Sequence, residues 1–201
     1  MFSKNDYRGF TFEERANYCL LQFNRPEKRN PLSVEVLEDI NSALDHLSDN
    51  KTPKTLVFCG SDGVFASGAN LREVASLTVE EALAFGLRGQ RLMRRISGLP
   101  FDTIAAIEGF CMGGALDLAV SCKRRIADPG TVFAHPGVSL GIITGWGGTQ
   151  MLPALVGRKR ANYLFLSGKK IDASSAYRMG LIDRVVSSPL EFALEELVSR
   201  K

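Results

Sequence analysis

Three glycines and the acid Asp117 in the stretch from Ile104 to Cys122, IAAIEGFCMGGALDLAVSC, have the types and spacing for acid–base chemistry. Gly109, Gly113 and Gly114 follow an apolar run from Thr103 to Ile107 and precede Ala115, Leu116, Leu118, Ala119 and Val120. The apolar run reads as a strand covered on both faces. The residues beyond the glycines suit a packed helix. The stretch therefore reads as strand, glycine turn, helix. The first N–H groups of a helix find no acceptor within it, and together with the helix dipole they favour negative charge. Asp117 stands one turn into that helix. Backbone donors beside a carboxyl suit a developing oxyanion, where each well-placed donor is worth roughly 3–4 kcal/mol of transition-state stabilisation. A second stretch repeats the logic. Thr55 to Cys59 reads as a buried strand, and GSDGVFASGANL after it carries Gly60, Gly63 and Gly68 to a possible helix start over Ala69 to Val74.

The elements that must position these turns follow from periodicity and punctuation. Tyr18 to Phe23 reads as a strand ended by Asn24-Arg25-Pro26, and the polar segment EKRNPLS follows. Pro31 disfavours helix just before it, and Ser33 can cap a helix over Val34 to Leu47, where Val36, Leu37, Ile40, Leu44 and Leu47 recur at helical spacing. Lys51 to Lys54 reads as a turn. TVEE at Thr78 to Glu81 is a capping box for a long helix through Ser97, with Ala82, Phe85, Leu87, Leu92, Met93 and Ile96 mostly inward. Arg91, Arg94 and Arg95 read as its solvated face. Arg124 to Ala127 and Thr131 to Ala134 read as short strands around Asp128-Pro129-Gly130. Next comes HPGVSLGIITGWGGTQMLP, with five glycines from Gly137 to Gly148. A long glycine-rich loop in a compact domain is more often functional than idle. Leu152 to Val156 and Arg160 to Leu166 read as short helices. Asp172 can cap a helix over Ala173 to Met179 that ends at Gly180, Leu181 to Val186 reads as a last strand, and Pro189 opens a final helix. Alternating strands and helices make the class α/β.

Composition bounds the rest. A chain of 201 residues with 45% hydrophobic and 23% charged residues has enough apolar content for a sizeable core. The net charge of +3 is small and its cations are spread, which argues against nucleic acid. Cys19, Cys59, Cys111 and Cys122 have no CxxC or metal-ligand spacing and read as reduced core residues. The polar start MFSKNDYRGF does not read as a signal peptide, and no apolar run approaches the roughly 18 residues of a membrane span. The expectation is a cytoplasmic protein with no membrane partner.

Five ordered segments resemble the crotonase superfamily, the enoyl-CoA hydratase/isomerase family. They are NRPEKRNPL at Asn24 to Leu32, FASGANL at Phe65 to Leu71, GFCMGGALDLAVSCKRRIAD at Gly109 to Asp128, GIITGWGGTQMLPALVG at Gly141 to Gly157, and GKKIDASSAYRMGLIDRVV at Gly168 to Val186. The resemblance implies a spiral of repeated ββα units with helices covering the sheets. It implies a core domain over residues 1–188, and over 189–201 the start of a C-terminal helical region that is short or truncated. It implies an acyl-CoA thioester as substrate, with no cofactor other than the coenzyme A of the substrate itself, and a homotrimer or hexamer. The thioester carbonyl would take hydrogen bonds from the N–H groups of Ala69 and Gly114. Lys28, Arg29, Ala69, Asn70, Leu71, Arg72 and Gly113 would contact the substrate or its CoA part. Trp146 would line the acyl pocket or fill space.

The departures bear on the reaction. The family's hydratases commonly carry two glutamates. The first position is Asp117 here, shorter by one bond and about 1.5 Å of reach. The second falls at Gly137 in Phe133-Ala134-His135-Pro136-Gly137, so that acid is missing. Hydration must activate water and also supply a proton to carbon, work that two carboxylates divide. His135 could stand in, since an imidazole of pKa near 6.5 suits either task and strand alternation would put 135 and 137 on one side. Asn70 replaces the usual aspartate, and Ala115 the usual third glycine. The resemblance thus makes Asp117, His135 and Gly137 the candidate catalytic positions. Isomerase, hydrolase or decarboxylase chemistry, or non-catalytic binding of acyl-CoA, stand as alternatives to hydration. A dinucleotide fold is set aside, because Gly109-x-x-x-Gly113-Gly114 is not G-x-G-x-x-G.

Overall fold

A computed structural model describes residues 4–49 and 55–199 of the chain. The turn expected at Lys51 to Lys54 lies outside them. The chain opens on a hairpin of β1 (Lys4–Tyr7) and β2 (Phe10–Glu14), which pairs on to β3 (Tyr18–Phe23). Three units then follow one plan. In each, a strand of the main sheet leads to a shorter strand outside it and then to helix. These are β3, β4 (Pro31–Leu32) and α1 (Val34–Asp49); β5 (Thr55–Cys59), β6 (Gly68–Ala69), α2 (Leu71–Ser76) and α3 (Val79–Ser97); and β7 (Thr103–Ile107), β8 (Phe110–Met112) and α4 (Gly114–Ser121). A fourth begins with β9 (Arg124–Ala127) and β10 (Val132–Ala134) and continues through a 3-10 turn at Pro136–Leu140 to α5 (Gly148–Val156) and α6 (Arg158–Ser167). The chain closes with β11 (Ile171–Asp172), α7 (Ala173–Met179), β12 (Arg184–Val185) and α8 (Pro189–Ser199). This is the α/β architecture expected, a succession of ββα units.

The main sheet has the order β1-β2-β3-β5-β7-β9-β12, parallel from β3 onward. Parallel strands need cover on both faces, and TIAAI of β7 is buried at every position. The larger core lies between this sheet and the helices that follow the short strands, with Leu37, Ile40, Leu92, Ile96, Leu116 and Phe133 among its side chains. On the other face Ala193 and Leu197 of α8 close over Val57, Ile104 and Ile126. The short strands form two small ladders, β4-β6 and β11-β10-β8. An isolated bridge between Ala66 and Cys111, where Phe65 N–H donates to Glu108 O at 2.8 Å and Ala66 N–H to Phe110 O at 3.1 Å, brings the two glycine turns together.

Local chemistry explains the element ends. Ser33 Oγ accepts from Val36 N–H at 3.2 Å at the start of α1. Thr78 and Glu81 complete the capping box of α3, and Gly98 ends it. All four cysteines are free and buried.

Several expectations are corrected. The stretch from Thr103 to Ser121 does not pass straight from strand to helix; β8 intervenes between Gly109 and Gly113, paired to β10. The β1–β2 hairpin has no counterpart in the sequence reading. The strand expected from Leu181 shrinks to Arg184–Val185. The front half of α3 is not inward: Ala82 is exposed, as are Leu83 and Leu87. Arg95 is not simply solvated, since it pairs with Asp45 at 2.6 Å and donates to Asn41 O of α1. Arg125 is buried and donates to the carbonyls of Leu181 and Cys122 and to Asp183. Among the described residues no helix is long and apolar enough to cross a membrane.

Candidate active site

The two glycine turns meet side by side. A Cβ built on Gly68 would come within 2.8 Å of Gly114 N and 2.5 Å of Met112 O, so only hydrogen fits between them. Gly114 is the first residue of α4, where N–H groups lack intrahelical acceptors. Ala69 ends β6. Its neighbour Asn70 donates its N–H to Leu32 O of β4 at 3.2 Å, and successive N–H groups of an extended strand point to opposite sides. The Ala69 N–H therefore points away from β4, toward the side where Gly114 lies. Asn70 itself caps α2, accepting from Arg72 N–H at 3.2 Å and donating to Glu73 at 3.0 Å.

A cleft of about 300 Å³ opens in front of these turns. Ala69, Gly113 and Gly114 lie in its wall with His135, Gly137, Thr144 and Trp146, and aliphatic side chains such as Leu71, Val138 and Ile142 complete it. Its lining is overwhelmingly apolar. A second groove, of about 620 Å³, adjoins it through Ser67, Ala69 and Leu71. Arg25, Lys28 and Arg72 give that groove cations, and Glu35 and Glu73 line it as well. Arg29 is not in either wall; its guanidinium lies over the Phe110 ring, 5.4 Å from the centroid. Trp146 is buried, its ring packed against Gly89 of α3 and Gly114 of α4 and 5.3 Å from Phe85.

Asp117 is 0% exposed and does not reach the cleft wall. Its Oδ2 accepts a hydrogen bond from the Thr144 hydroxyl, and its carboxyl lies against Gly148 at the start of α5, so closely that no side chain fits there. Its Oδ1 stands 3.6 Å from His135 Nε2, and neither atom has a partner in hydrogen-bond geometry. Burial pushes the Asp117 carboxyl up from 3.8 to about 7, while the Thr144 hydroxyl and the Gly148 N–H pull it back down. Burial pushes His135 the other way, from 6.5 to about 4. The contact is therefore between a carboxyl poised at neutrality and a neutral imidazole. It is not an ion pair. His135 packs on Phe165 of α6, ring centroids 4.9 Å apart.

His135 and Gly137 share the cleft wall, but not through strand alternation. β10 stops at Ala134 and Pro136 starts a 3-10 turn. Gly137 is tightly packed: a Cβ there would come 2.5 Å from Ile142 O, and Ile142 N–H donates to Gly137 O at 3.0 Å. The position leaves no space for a glutamate in this loop conformation. Thr144 is the residue that sequence reasoning missed. It lies 27 residues from the carboxyl it touches, within a loop whose glycines were the only local signal. Among the described residues no group of three or more His, Cys, Asp or Glu side chains comes together as a metal site would.

Comparison with known proteins bears on this geometry. Residues 13–200 match the enoyl-CoA hydratase/isomerase family. A crotonyl-CoA hydratase of Syntrophomonas wolfei subsp. wolfei is 37% identical over 181 residues, 90% of this chain and 70% of that protein. Among solved structures, that of DspI from Pseudomonas aeruginosa superimposes with a TM-score of 0.91 at 30% identity, over 97% of this chain and 75% of that one. An enoyl-CoA hydratase from Bacillus anthracis superimposes with a TM-score of 0.90 at 29% identity, over 96% of this chain and 76% of that one.

Proposed function

The chain belongs to the enoyl-CoA hydratase/isomerase family and is an enzyme of that type, and on that premise we propose that it stabilises the enolate of an acyl-CoA thioester in a hole formed by the N–H groups of Ala69 and Gly114. The observation that carries the reading is the meeting of these two turns at the head of an apolar cleft, with one titratable carboxyl behind it. The acyl chain lies along the apolar wall. The CoA part follows the adjoining groove, where Lys28 and Arg72 meet its phosphates and the backbone from Ala69 to Arg72 its nucleotide. Two fixed donors in a site with little water act on the developing charge without having to reorganise.

Asp117 is the proton-exchanging group of this reading, with His135 beside it. Burial lifts the carboxyl to about 7, into the range in which a group can both take a proton and return it. A second reading, allylic isomerisation in place of hydration, is favoured by Gly137. With no space for a second acid there, one carboxyl must serve both proton transfers, and moving a proton between two carbons needs only one.

The test is turnover of crotonyl-CoA and of a 3-enoyl-CoA, followed by the absorbance of the conjugated thioester. Loss of that absorbance from crotonyl-CoA marks hydration. Its gain from the 3-enoyl ester marks isomerisation. Both vanish in Asp117→Asn, and His135→Ala reports the part played by the imidazole. Thermal stabilisation by CoA esters without turnover of either would replace the enzyme reading by one of binding alone; saturation at 100 times Kd is worth about 2.7 kcal/mol. No stabilisation by either ester would sink both.

A further inference from the structure

The carboxyl that the reaction needs does not face the cleft. Two side chains of the cleft wall reach the Asp117 carboxyl, namely His135 and Thr144. Only one of them is bonded to the carboxyl. His135 Nε2 is 3.6 Å from Oδ1, beyond a hydrogen bond, whereas the Thr144 hydroxyl donates to Oδ2. A hydroxyl donates and accepts at once, so it can pass one proton on as it receives another. An imidazole held at 3.6 Å offers no such continuous path.

The segment that carries Thr144 is anchored on both sides of the cleft. The next carbonyl, Gly145 O, accepts from Gln90 Nε2 of α3 at 2.9 Å. Two residues on, the Trp146 ring lies against Gly114, the proposed donor to the thioester oxygen. Thr144 is half-buried and part of the cleft wall, while Ile143 beside it is exposed. The hydroxyl thus combines two contacts that no other polar side chain of the cleft wall combines: a hydrogen bond to the buried carboxyl and a face on the cleft. It also makes up the reach that an aspartate lacks.

The geometry points to Thr144 as a catalytic residue, its hydroxyl carrying the proton between Asp117 and the substrate carbon beside the thioester. This rests on the acyl-CoA reading above. In the forward step the C–H proton passes to Thr144 Oγ1 as the proton of that hydroxyl passes to Asp117 Oδ2. The C–H electron pair stays on the substrate as the enolate, whose charge is held by Ala69 and Gly114. The carboxylate becomes a neutral carboxyl, so one negative charge moves from protein to substrate and no atom is lost. The return step runs the same protons backward on to whichever carbon is presented.

The experiment is deuterium washout from α-deuterated butyryl-CoA in water, followed by mass spectrometry. Washout requires only enolate formation and is blind to the later fate of the enolate. Thr144→Val should slow it by about 100-fold while leaving the Kd of butyryl-CoA unchanged, and Thr144→Ser should stay within about tenfold of the parent. Washout by Thr144→Val at the parent rate overturns the assignment, as does Thr144→Ser being as slow as Thr144→Val. If Thr144→Val shows no folding transition, the parent decides in mixtures of H₂O and D₂O. Release of tritium from α-tritiated butyryl-CoA is followed there: the hydron leaving carbon is the substrate's own and only that of the Thr144 hydroxyl comes from solvent, so the relay slows release in proportion to the deuterium fraction, and a rate that does not change with that fraction overturns it. Asp117→Asn separates the two levels. If it stops washout while Thr144→Val does not, the relay alone fails. If it leaves washout intact, or the parent shows none, the acyl-CoA reading fails and the relay with it.

Discussion

Replacing Asp117 with asparagine should make the fold more stable at pH 8 and leave it unchanged at pH 4. The carboxyl titrates at about 7 in the folded chain, against an ordinary value of 3.8, because burial strips it of water. Between those values the folded chain holds a proton that the unfolded chain has released. Unfolding then gives up a proton, so stability falls as pH rises from about 4 to about 7, and is level above that. At about 1.4 kcal/mol per pKa unit, the rise from 3.8 to about 7 is worth about 4 kcal/mol. His135 contributes the opposite slope. Its pKa is lowered from 6.5 to about 4, so the stability it lends is complete above 6.5 and is lost as pH falls toward 4. In the parent the two slopes oppose each other between pH 4 and 6.5. Subtracting parent from variant removes most of the His135 slope, and above pH 6.5, where the imidazole is neutral in both folded and unfolded chains, the difference reports Asp117. Asparagine keeps the acceptor for Thr144, and its amide N–H can turn to His135 Nε2, which now lacks a partner. Urea unfolding of both proteins at half-unit steps from pH 4 to 8 would show the difference grow from near zero to about 4 kcal/mol. A difference that stays constant across that range refutes the argument, and so does a variant less stable than the parent at pH 8.

Three further outcomes follow from the packing. Gly137→Glu should lower the unfolding free energy by about 1–3 kcal/mol, through the clash with Ile142 O, and should not raise hydration of crotonyl-CoA; calorimetry and the absorbance assay check the two halves. Gly148→Ala should abolish deuterium washout, because the added methyl occupies the place of the Asp117 carboxyl; retention of more than about a tenth of the parent rate would contradict the placement of that carboxyl. Arg125→Leu should cost about 3 kcal/mol in urea unfolding, since it strands the carbonyls of Leu181 and Cys122 and one bond to Asp183.

What could be read from the sequence was local. Thr78 and Glu81 lie three residues apart, so their capping box is visible as TVEE, and β7 is visible because four of its five residues are apolar. The hairpin was not visible because KNDY has no alternation, and its pairing is supplied by the neighbouring strand. The front of α3 misled for the opposite reason. Ala82 and Leu87, read as inward from their spacing, are both exposed, and spacing does not say whether an apolar stripe has a partner. At the site, the glycine turns and Asp117 stood out by residue type, but the distance between the turns is set by the bridge of Ala66 to Cys111, a pairing across 45 residues. The Thr144–Asp117 bond joins a loop to a helix across 27 residues, and no periodicity encodes it. Pro136 was in plain view and is what ends β10; strand alternation had been carried one step beyond it.

The chain has one tryptophan, and it is the ring wedged against Gly114 in the cleft wall. That makes the protein its own optical probe. All indole emission originates at the cleft, from a side chain only 2% exposed. A ligand that enters the cleft alters the surroundings of this single fluorophore, so its binding can be titrated without a label. A ligand confined to the charged groove beyond Leu71 would leave the emission unchanged. Fluorescence thereby separates occupancy of the acyl end from occupancy of the nucleotide end in one cuvette.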